Sequence, residues 1–454
     1  MRKYFGTDGI RRIANTELSP ELVYKVAKAG AYVLSKHTAH APNILIGRDP
    51  RISGTLIESA MVAGFLSYGA NVKVLGVMPT PAVAYLTRKL NADASVVISA
   101  SHNTYEFNGV KYFSNKGMKI SDEIEEEIED VMESGKLDEL TAVNDKIGVS
   151  ENREDLINEY VYFFRKNFDE KIEKYNRKDF VVGIDTANGA TYKVAEKVFS
   201  ALGIKYKIIN NNPDGININR DCGSTHIEGL KKLVLEEKLS LGIAYDGDGD
   251  RCLAIDEKGN LMDGDIILAI LSRQLKRQEK LNNNTLVATV MSNLGLNKFA
   301  EKEGMTFKQT KVGDRYVLEE MLKNNYNLGG EQSGHVILLD YNPTGDGILT
   351  SLMLIQVLLE NNLRASEAAS IVNIYPQVLI NAKVASEKKY DYDKNEIIKK
   401  EIEKLEKEFA DNGRVLIRAS GTEPLVRVMI EGEDKEYITS KAKALADCIE
   451  KNLR

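Results

Sequence analysis

Phe180-Val181-Val182-Gly183-Ile184-Asp185, a helical stretch from about Thr191 to Leu202, and then Ile204-Lys205-Tyr206-Lys207-Ile208 form the segment that decides the fold. An apolar run closed by a polar turn, a helix, and a second apolar run after Gly203 read as two strands joined by a crossover helix. Such a connection pairs its strands in parallel. The same order recurs upstream in Asn43-Ile44-Leu45-Ile46-Gly47-Arg48-Asp49, a helical stretch through Leu66, and Ala70-Asn71-Val72-Lys73-Val74-Leu75. It recurs downstream in Leu286-Val287-Ala288-Thr289-Val290, a helix near Leu296 to Glu303, and Thr306-Phe307-Lys308. Three copies predict three similar α/β domains with mixed, largely parallel sheets. The tail differs. A strand near Pro376 to Val384, a helix over Glu396 to Phe409, a strand pair over Val415 to Ala419 and Val426 to Glu431, and a helix from about Tyr437 to Asn452 predict a smaller α+β domain. Charge-rich helices mark the seams: acidic Ser121 to Leu137, and the aromatic-rich, amphipathic Glu151 to Asn176. The boundaries fall near 152, 254 and 368, dividing the chain into 1–152, 153–254, 255–368 and 369–454.

The chain has 454 residues, 43% of them hydrophobic and 28% charged, which is enough apolar material for several cores and excludes a disordered or disulfide-stapled protein. Lys and Arg number 61 against 67 Asp and Glu, a formal charge of −6, so no general attraction draws it to nucleic acid or an anionic membrane. Any anion must be caught by a local arrangement. Cys222, Cys252 and Cys448 are too few and too scattered for a disulfide framework or a zinc site. The opening Met1-Arg2-Lys3-Tyr4-Phe5-Gly6 lacks the apolar stretch of a secretory signal. The apolar run Gly347 to Leu359 contains Thr350, Ser351 and Gln356 and falls short of the ~20 residues of a membrane span. It reads as a buried helix. A reduced, soluble, cytoplasmic protein is expected.

Four loops carry chemistry. Asp246-Gly247-Asp248-Gly249-Asp250-Arg251 follows the apolar strand Leu241 to Tyr245. Three carboxylates at alternate positions repel one another unless a cation or protons neutralise them, and the glycines let the backbone fold tightly so that their oxygens converge. Hard oxygen donors suit Mg²⁺. Asp246, Asp248, Asp250 and Glu257 also fit the ligand spacing of an EF-hand, but Arg251 stands where that loop needs glycine, and the flanks read as strands. The EF-hand is rejected. Ile98-Ser99-Ala100-Ser101-His102-Asn103 leaves the strand Ala94 to Ile98 at its end, where ligands bind in open α/β sheets. His102 beside Ser101 could suggest a hydrolase, but sequence neighbours seldom point at each other and no Gly-x-Ser-x-Gly elbow is present. Lys111 lies on the next strand and, as a lone lysine, reads as solvated surface.

Arg418-Ala419-Ser420-Gly421-Thr422-Glu423-Pro424, with Arg427 beyond, lies between two strands. Two guanidinium groups, two hydroxyls and a glycine turn fit a phosphate, although a polar hairpin turn would look similar. Gly329-Gly330-Glu331-Gln332-Ser333-Gly334-His335 offers acceptors that could read sugar hydroxyls or an amine. Phe5-Gly6-Thr7-Asp8-Gly9-Ile10-Arg11-Arg12 and Lys311-Val312-Gly313-Asp314-Arg315 are weak signals on their own.

Taken together, Ser-Ala-Ser-His-Asn, Asp-Gly-Asp-Gly-Asp-Arg, Gly-Glu-Gln-Ser-Gly-His and Ser-Gly-Thr-Glu-Pro resemble the loops of the α-D-phosphohexomutase superfamily, in that family's order and over essentially the whole chain. Phe-Gly-Thr-Asp-Gly-Ile-Arg and the Gln332 form of the sugar loop resemble its bacterial branch acting on phosphorylated glucosamine. Thr104 and Ala419 stand where that family often has proline, and neither replaces a reacting group. The resemblance implies four domains around a central cleft and interconversion of glucosamine 6-phosphate and glucosamine 1-phosphate, for UDP-N-acetylglucosamine synthesis. It implies a phosphorylated Ser101, one Mg²⁺ per chain bridging that phosphate to Asp246, Asp248 and Asp250, and glucosamine 1,6-bisphosphate as intermediate or activator. Arg251, Glu331 and Ser333 would bind the substrate, and Arg418, Ser420, Gly421, Thr422 and Arg427 would hold the phosphate that is not reacting. Arg11, Lys111 and His335 would move protons or position groups. The partner is then a phosphorylated amino sugar, and the chain a monomer or homodimer. A phosphoglucose or phosphomannose mutase, a Mg²⁺-dependent sugar phosphatase and a silent sugar-phosphate sensor are the competing readings.

Overall fold

The computed structural model describes residues 3–6, 8–36, 38–175, 179–420 and 423–454. The chain divides into two compact units, Met1–Met291 with Met305–Ile371, and Ser292–Gly304 with Val372–Arg454.

The larger unit holds three mixed sheets. The first has the strand order Ile10–Ile13, Phe107–Ser114, Ala94–Ile98, Asn43–Arg48, Asn71–Val77, Ser150–Asn152. Its first three strands pair antiparallel and the remaining pairs are parallel. Asn43–Arg48 is buried along its middle, as a strand covered on both faces must be. The helix Gly54–Tyr68 then carries the chain back and stops at Gly69, whose φ of +102° supplies the left-handed cap. Pairing of Ile44 with Ala94 through Arg48 with Ile98 brings both strands to the same sheet edge, where Asp49 and Ser99–Ser101 follow.

The second sheet runs Leu261–Met262, Cys252–Asp256, Leu241–Tyr245, Val181–Asp185, Lys205–Ile209, with the last two adjacent pairs parallel. The third runs Thr306–Thr310, Thr285–Thr289, Leu328–Gly330, Val336–Leu338, with a parallel pair over Thr285 to Thr310. All three crossover units expected from the sequence therefore pair in parallel. The apolar run forms the helix Gly347–Glu360, buried at every residue through Leu359. No helix among the described residues is long and apolar enough to cross a membrane. The connector forms the helix Ile157–Tyr175, whose Tyr160, Phe164, Phe168 and Ile172 are buried one turn apart. Tyr160 donates to Asp346, the cap of the apolar helix, at 2.6 Å.

The smaller unit is an antiparallel sheet, Gln377–Lys383, Leu425–Gly432, Gly413–Ala419, with the helices Glu396–Phe409 and Lys435–Leu453. Val428, Ile430, Ile438 and Ile449 lie in its core. The helix Leu294–Lys302 belongs to this unit, not to the unit holding the strands on either side of it in sequence. Asn293 exchanges hydrogen bonds with the backbone of Tyr375, both at 2.9 Å. The N–H of Leu294 donates to buried Glu431 at 3.2 Å, and Arg414 pairs with that carboxylate at 2.8 Å.

Candidate active site

Ser101 sits just past the end of the buried strand Ala94–Ile98, with φ +50°, a left-handed conformation uncommon outside glycine and asparagine. Its N–H donates to Ser99 Oγ at 2.9 Å, and that hydroxyl donates to buried Asp49 at 2.6 Å. The Ser101 hydroxyl donates to Asp246 Oδ2 at 2.7 Å. His102 does point at Ser101, contrary to expectation, because the left-handed residue turns the chain so that Oγ and Nδ1 stand 3.4 Å apart. Burial, then the guanidinium groups of Arg251 and Arg11, push its imidazole down to about 4, which makes it a weak base.

Asp246, Asp248 and Asp250 are buried and bring one oxygen each within 4.8 Å of the others. Gly249 takes φ +75° to make the turn. Gly247 permits contact with the serine loop, since a Cβ there would lie 2.5 Å from the Ser101 carbonyl oxygen. Asp248 Oδ1 and Asp250 Oδ1 find no hydrogen-bond partner among the described residues. Buried, unpartnered carboxylate oxygens converging beside a serine fit a divalent cation with oxygen preference, so these residues suit Mg²⁺. Burial, and then the charges of Asp250 and Asp248, push the Asp246 carboxyl well above its ordinary range. Burial acts the same way on Asp248, but the Lys111 ammonium and the Thr80 hydroxyl outweigh it and hold that carboxyl low. Thr80 donates to Asp248 at 2.7 Å. Lys111 is buried, not solvated, with Nζ 3.0 Å from Asp248, 3.1 Å from Asp8 and 4.0 Å from Asp250.

A cavity of about 640 Å³ opens over this floor, and Arg11, Ser101, Asp250, Arg251, Glu331 and His335 all line it. The acidic helix Asp122–Glu133 positions its N-terminal wall, because the Glu129 carboxylate accepts from the backbone N–H groups of Lys3, Tyr4 and Phe5 at 2.6, 2.7 and 2.7 Å. Arg11 follows on the strand Ile10–Ile13 and donates to Asn103 at 2.9 Å and to Asp8 at 3.0 Å. The hairpin between Leu328–Gly330 and Val336–Leu338 presents Glu331, which accepts from the Gly313 N–H at 3.1 Å, and His335, whose Nε2 accepts from the Gly345 N–H at 3.2 Å. Ser333 is exposed and lies outside the lining of this cavity. Gln332 turns away to donate to Asp263 at 3.1 Å.

Asp8, Lys119 and Asp314 also line the cavity. Lys119 Nζ lies 2.5 Å from Asp8 and 2.6 Å from Asp314, and Asp314 lies 3.4 Å from His335 Nε2. Burial works against the charge on Lys119, but Asp314 and Asp8 raise its ammonium well above its ordinary value. Asp8 and Asp314 fall inside the two weak sequence segments, whereas Lys119 carries no sequence signal, since nothing in its neighbourhood marks its distant partners.

In the smaller unit, Arg418 and Arg427 face each other across the hairpin register. Burial, then the neighbouring Arg427, push the Arg418 guanidinium below its ordinary value. Paired cations of this kind favour an anion between them. Ser420 is buried and its Oγ accepts from the Glu423 N–H at 3.2 Å. Gly421 and Thr422 lie outside the described residues.

Sequence models of the phosphoglucomutase/phosphomannomutase family match the chain in four consecutive pieces: alpha/beta/alpha domain I over residues 2–139, domain II over 158–259, domain III over 263–375, and the C-terminal domain over 379–447. The chain belongs to this family. It is 53% identical over 453 residues, 100% of each chain, to the phosphoglucosamine mutase of Acetivibrio thermocellus. Its fold matches a phosphoglucomutase/phosphomannomutase family protein of Burkholderia thailandensis with a TM-score of 0.81 at 19% identity, over 99% of this chain and 98% of that one. It also matches N-acetylphosphoglucosamine mutase of Aspergillus fumigatus, solved with GlcNAc-6P and magnesium, with a TM-score of 0.69 at 17% identity, over 100% of this chain and 96% of that one.

Proposed function

We propose that this enzyme interconverts glucosamine 6-phosphate and glucosamine 1-phosphate through a phosphorylated Ser101. The full-length likeness to phosphoglucosamine mutases supports the substrate. The observation that carries the reaction is the contact between Ser101 Oγ and Asp246, 2.7 Å apart on the floor of a cavity large enough for a hexose phosphate. Ser101 with Asp246, Asp248 and Asp250 would hold one Mg²⁺, which when bound supplies positive charge against the phosphate oxygens.

The chain's own groups do the rest. The Ser101 Oγ–P bond breaks as the phosphoryl group passes to a sugar hydroxyl, whose proton leaves to a basic group on the cavity wall while the released Ser101 oxygen takes up a proton, and the return step runs this exchange in reverse. The resulting glucosamine 1,6-bisphosphate reverses end for end, and Ser101 takes back the other phosphate, so no phosphate is lost to water. Positioning and charge neutralisation drive such transfers, which is why no triad is needed. Lys111, Arg11 and Arg251 offset the charge at the reacting phosphorus, and His335 is a candidate proton carrier. Glu331 reads the sugar and its amine, with Ser333 a weaker candidate because it stands outside the cavity lining. Arg418, Ser420, Gly421, Thr422 and Arg427 hold the idle phosphate. One loop per domain follows, across 1–152, 153–254, 255–368 and 369–454. Cys222, Cys252 and Cys448 are all unpaired, which suits a cytoplasmic enzyme.

Intact mass with peptide mapping, together with turnover of glucosamine 6-phosphate against glucose 6-phosphate, tests the proposal. One phosphate on Ser101 and preference for the amino sugar are expected. Preference for the neutral sugar would overturn the substrate, and steady release of inorganic phosphate would overturn the mutase reaction.

A further inference from the structure

We infer that Arg51 and Asn219 are positioning residues for the reacting serine, gripping its loop from behind and fixing Oγ against Asp246. The inference rests on the phosphoserine reading above. Arg51 follows the strand Asn43–Arg48, and its side chain is fully buried in an ion pair with Asp49. A guanidinium carries five N–H donors, and here every one is used. Nε donates to Asp49 at 2.8 Å, Nη1 to the carbonyls of Phe107 at 3.0 Å and of Thr104, and Nη2 to the carbonyls of Ser101 at 3.0 Å and Asn103 at 2.8 Å. Asn219, from the loop after Lys205–Ile209, donates from Nδ2 to the same carbonyls of Ser101 and Asn103, both at 2.8 Å.

Two carbonyls thus receive four donors from two different parts of the chain. A serine held at φ +50° relaxes unless its surroundings over-determine it, and this clasp does so. Neither side chain lines the cavity or bonds to Ser101 Oγ, so both act through the backbone. Moving a reacting atom by ~1 Å can cost on the order of 100-fold in rate.

Arg51→Lys is the direct variant, but it strands buried carbonyls and can unfold the loop. Asn219→Gly is the decisive one, because Asn219 itself sits at φ +57°, which glycine adopts freely. With glucosamine 6-phosphate, kcat is expected to fall on the order of 100-fold with KM within about twofold and the melting temperature close to the parent's. Uptake of phosphate on Ser101 from glucose 1,6-bisphosphate, followed by intact mass, should slow in step. An unchanged kcat, or a loss that tracks a lowered melting temperature, overturns the inference. A parent chain that takes up no phosphate on Ser101 overturns the proposed function and this inference with it. A parent that does, beside an Asn219→Gly chain taking it up equally fast, overturns the inference alone.

Discussion

Lys111 lies buried with its ammonium 3.0 Å from Asp248 and 3.1 Å from Asp8, so it offsets the negative charge that the aspartate turn carries into the interior. Removing one partner of a buried pair typically costs about 3–5 kcal/mol, because the other charge is left uncompensated. Lys111→Met should therefore lose about that much stability in urea titrations run with a chelator, and added Mg²⁺ should restore part of it. Equal stability with and without the lysine would mean that the turn is neutralised by other means. Ser101→Ala should abolish isomerisation while leaving the fold intact. Ser101→Gly should be the more stable of the two by about 1 kcal/mol, since alanine inherits the left-handed backbone and glycine tolerates it. Chemical denaturation of both checks the order. Ser101 and the three aspartates were legible because their chemistry is written in adjacent residues. Lys111 was named only through the family resemblance, since its partner Asp8 lies in the turn before another strand and a single lysine has no pattern. Lys119, Thr80, Arg51 and Asn219 escaped for the same reason: each acquires its role from partners brought close only by the fold.

Among elements, the hairpin of Gly413–Ala419 and Leu425–Gly432 sets Arg418 opposite Arg427. A charge-assisted hydrogen bond is worth about 1.5–3 kcal/mol, so Arg418→Ala should raise KM by roughly tenfold or more with kcat less affected. Steady-state kinetics decide it, and an unchanged KM would remove this hairpin from phosphate binding. The helix Gly347–Glu360 is a packing element, and Leu354, fully buried within it, should cost about 2–5 kcal/mol when truncated to alanine. Loss of less than 1 kcal/mol in thermal or chemical melts would contradict that burial. The crossover units were readable because apolar runs and helical stretches alternate at fixed spacing. The short strand Leu328–Gly330 was not, since two glycines read as loop and only its pairing with Thr285–Thr289 on one side and Val336–Leu338 on the other makes it a strand.

At the scale of the whole molecule, two compact units predict two calorimetric transitions, and the aspartate turn lies in the larger. Mg²⁺ at a hundredfold excess over its dissociation constant should stabilise that unit alone by about 2.7 kcal/mol. Scanning calorimetry with and without the ion reads this directly, and an equal shift of both transitions would contradict it. The C-terminal α+β fold was foreseeable from its strand and helix order, but the membership of Leu294–Lys302 was not. That helix is tied in by Asn293 and Glu431, and nothing local announces either contact. Its placement governs the order of synthesis. On the ribosome the segment Ser292–Gly304 emerges ahead of Met305–Ile371, and at roughly 5–20 residues per second it waits several seconds for the rest of its own unit. The smaller unit is thus a discontinuous piece of polypeptide. A protease nick near residue 371 would release a tail still lacking the helix that completes it, with Glu431 bereft of the Leu294 amide.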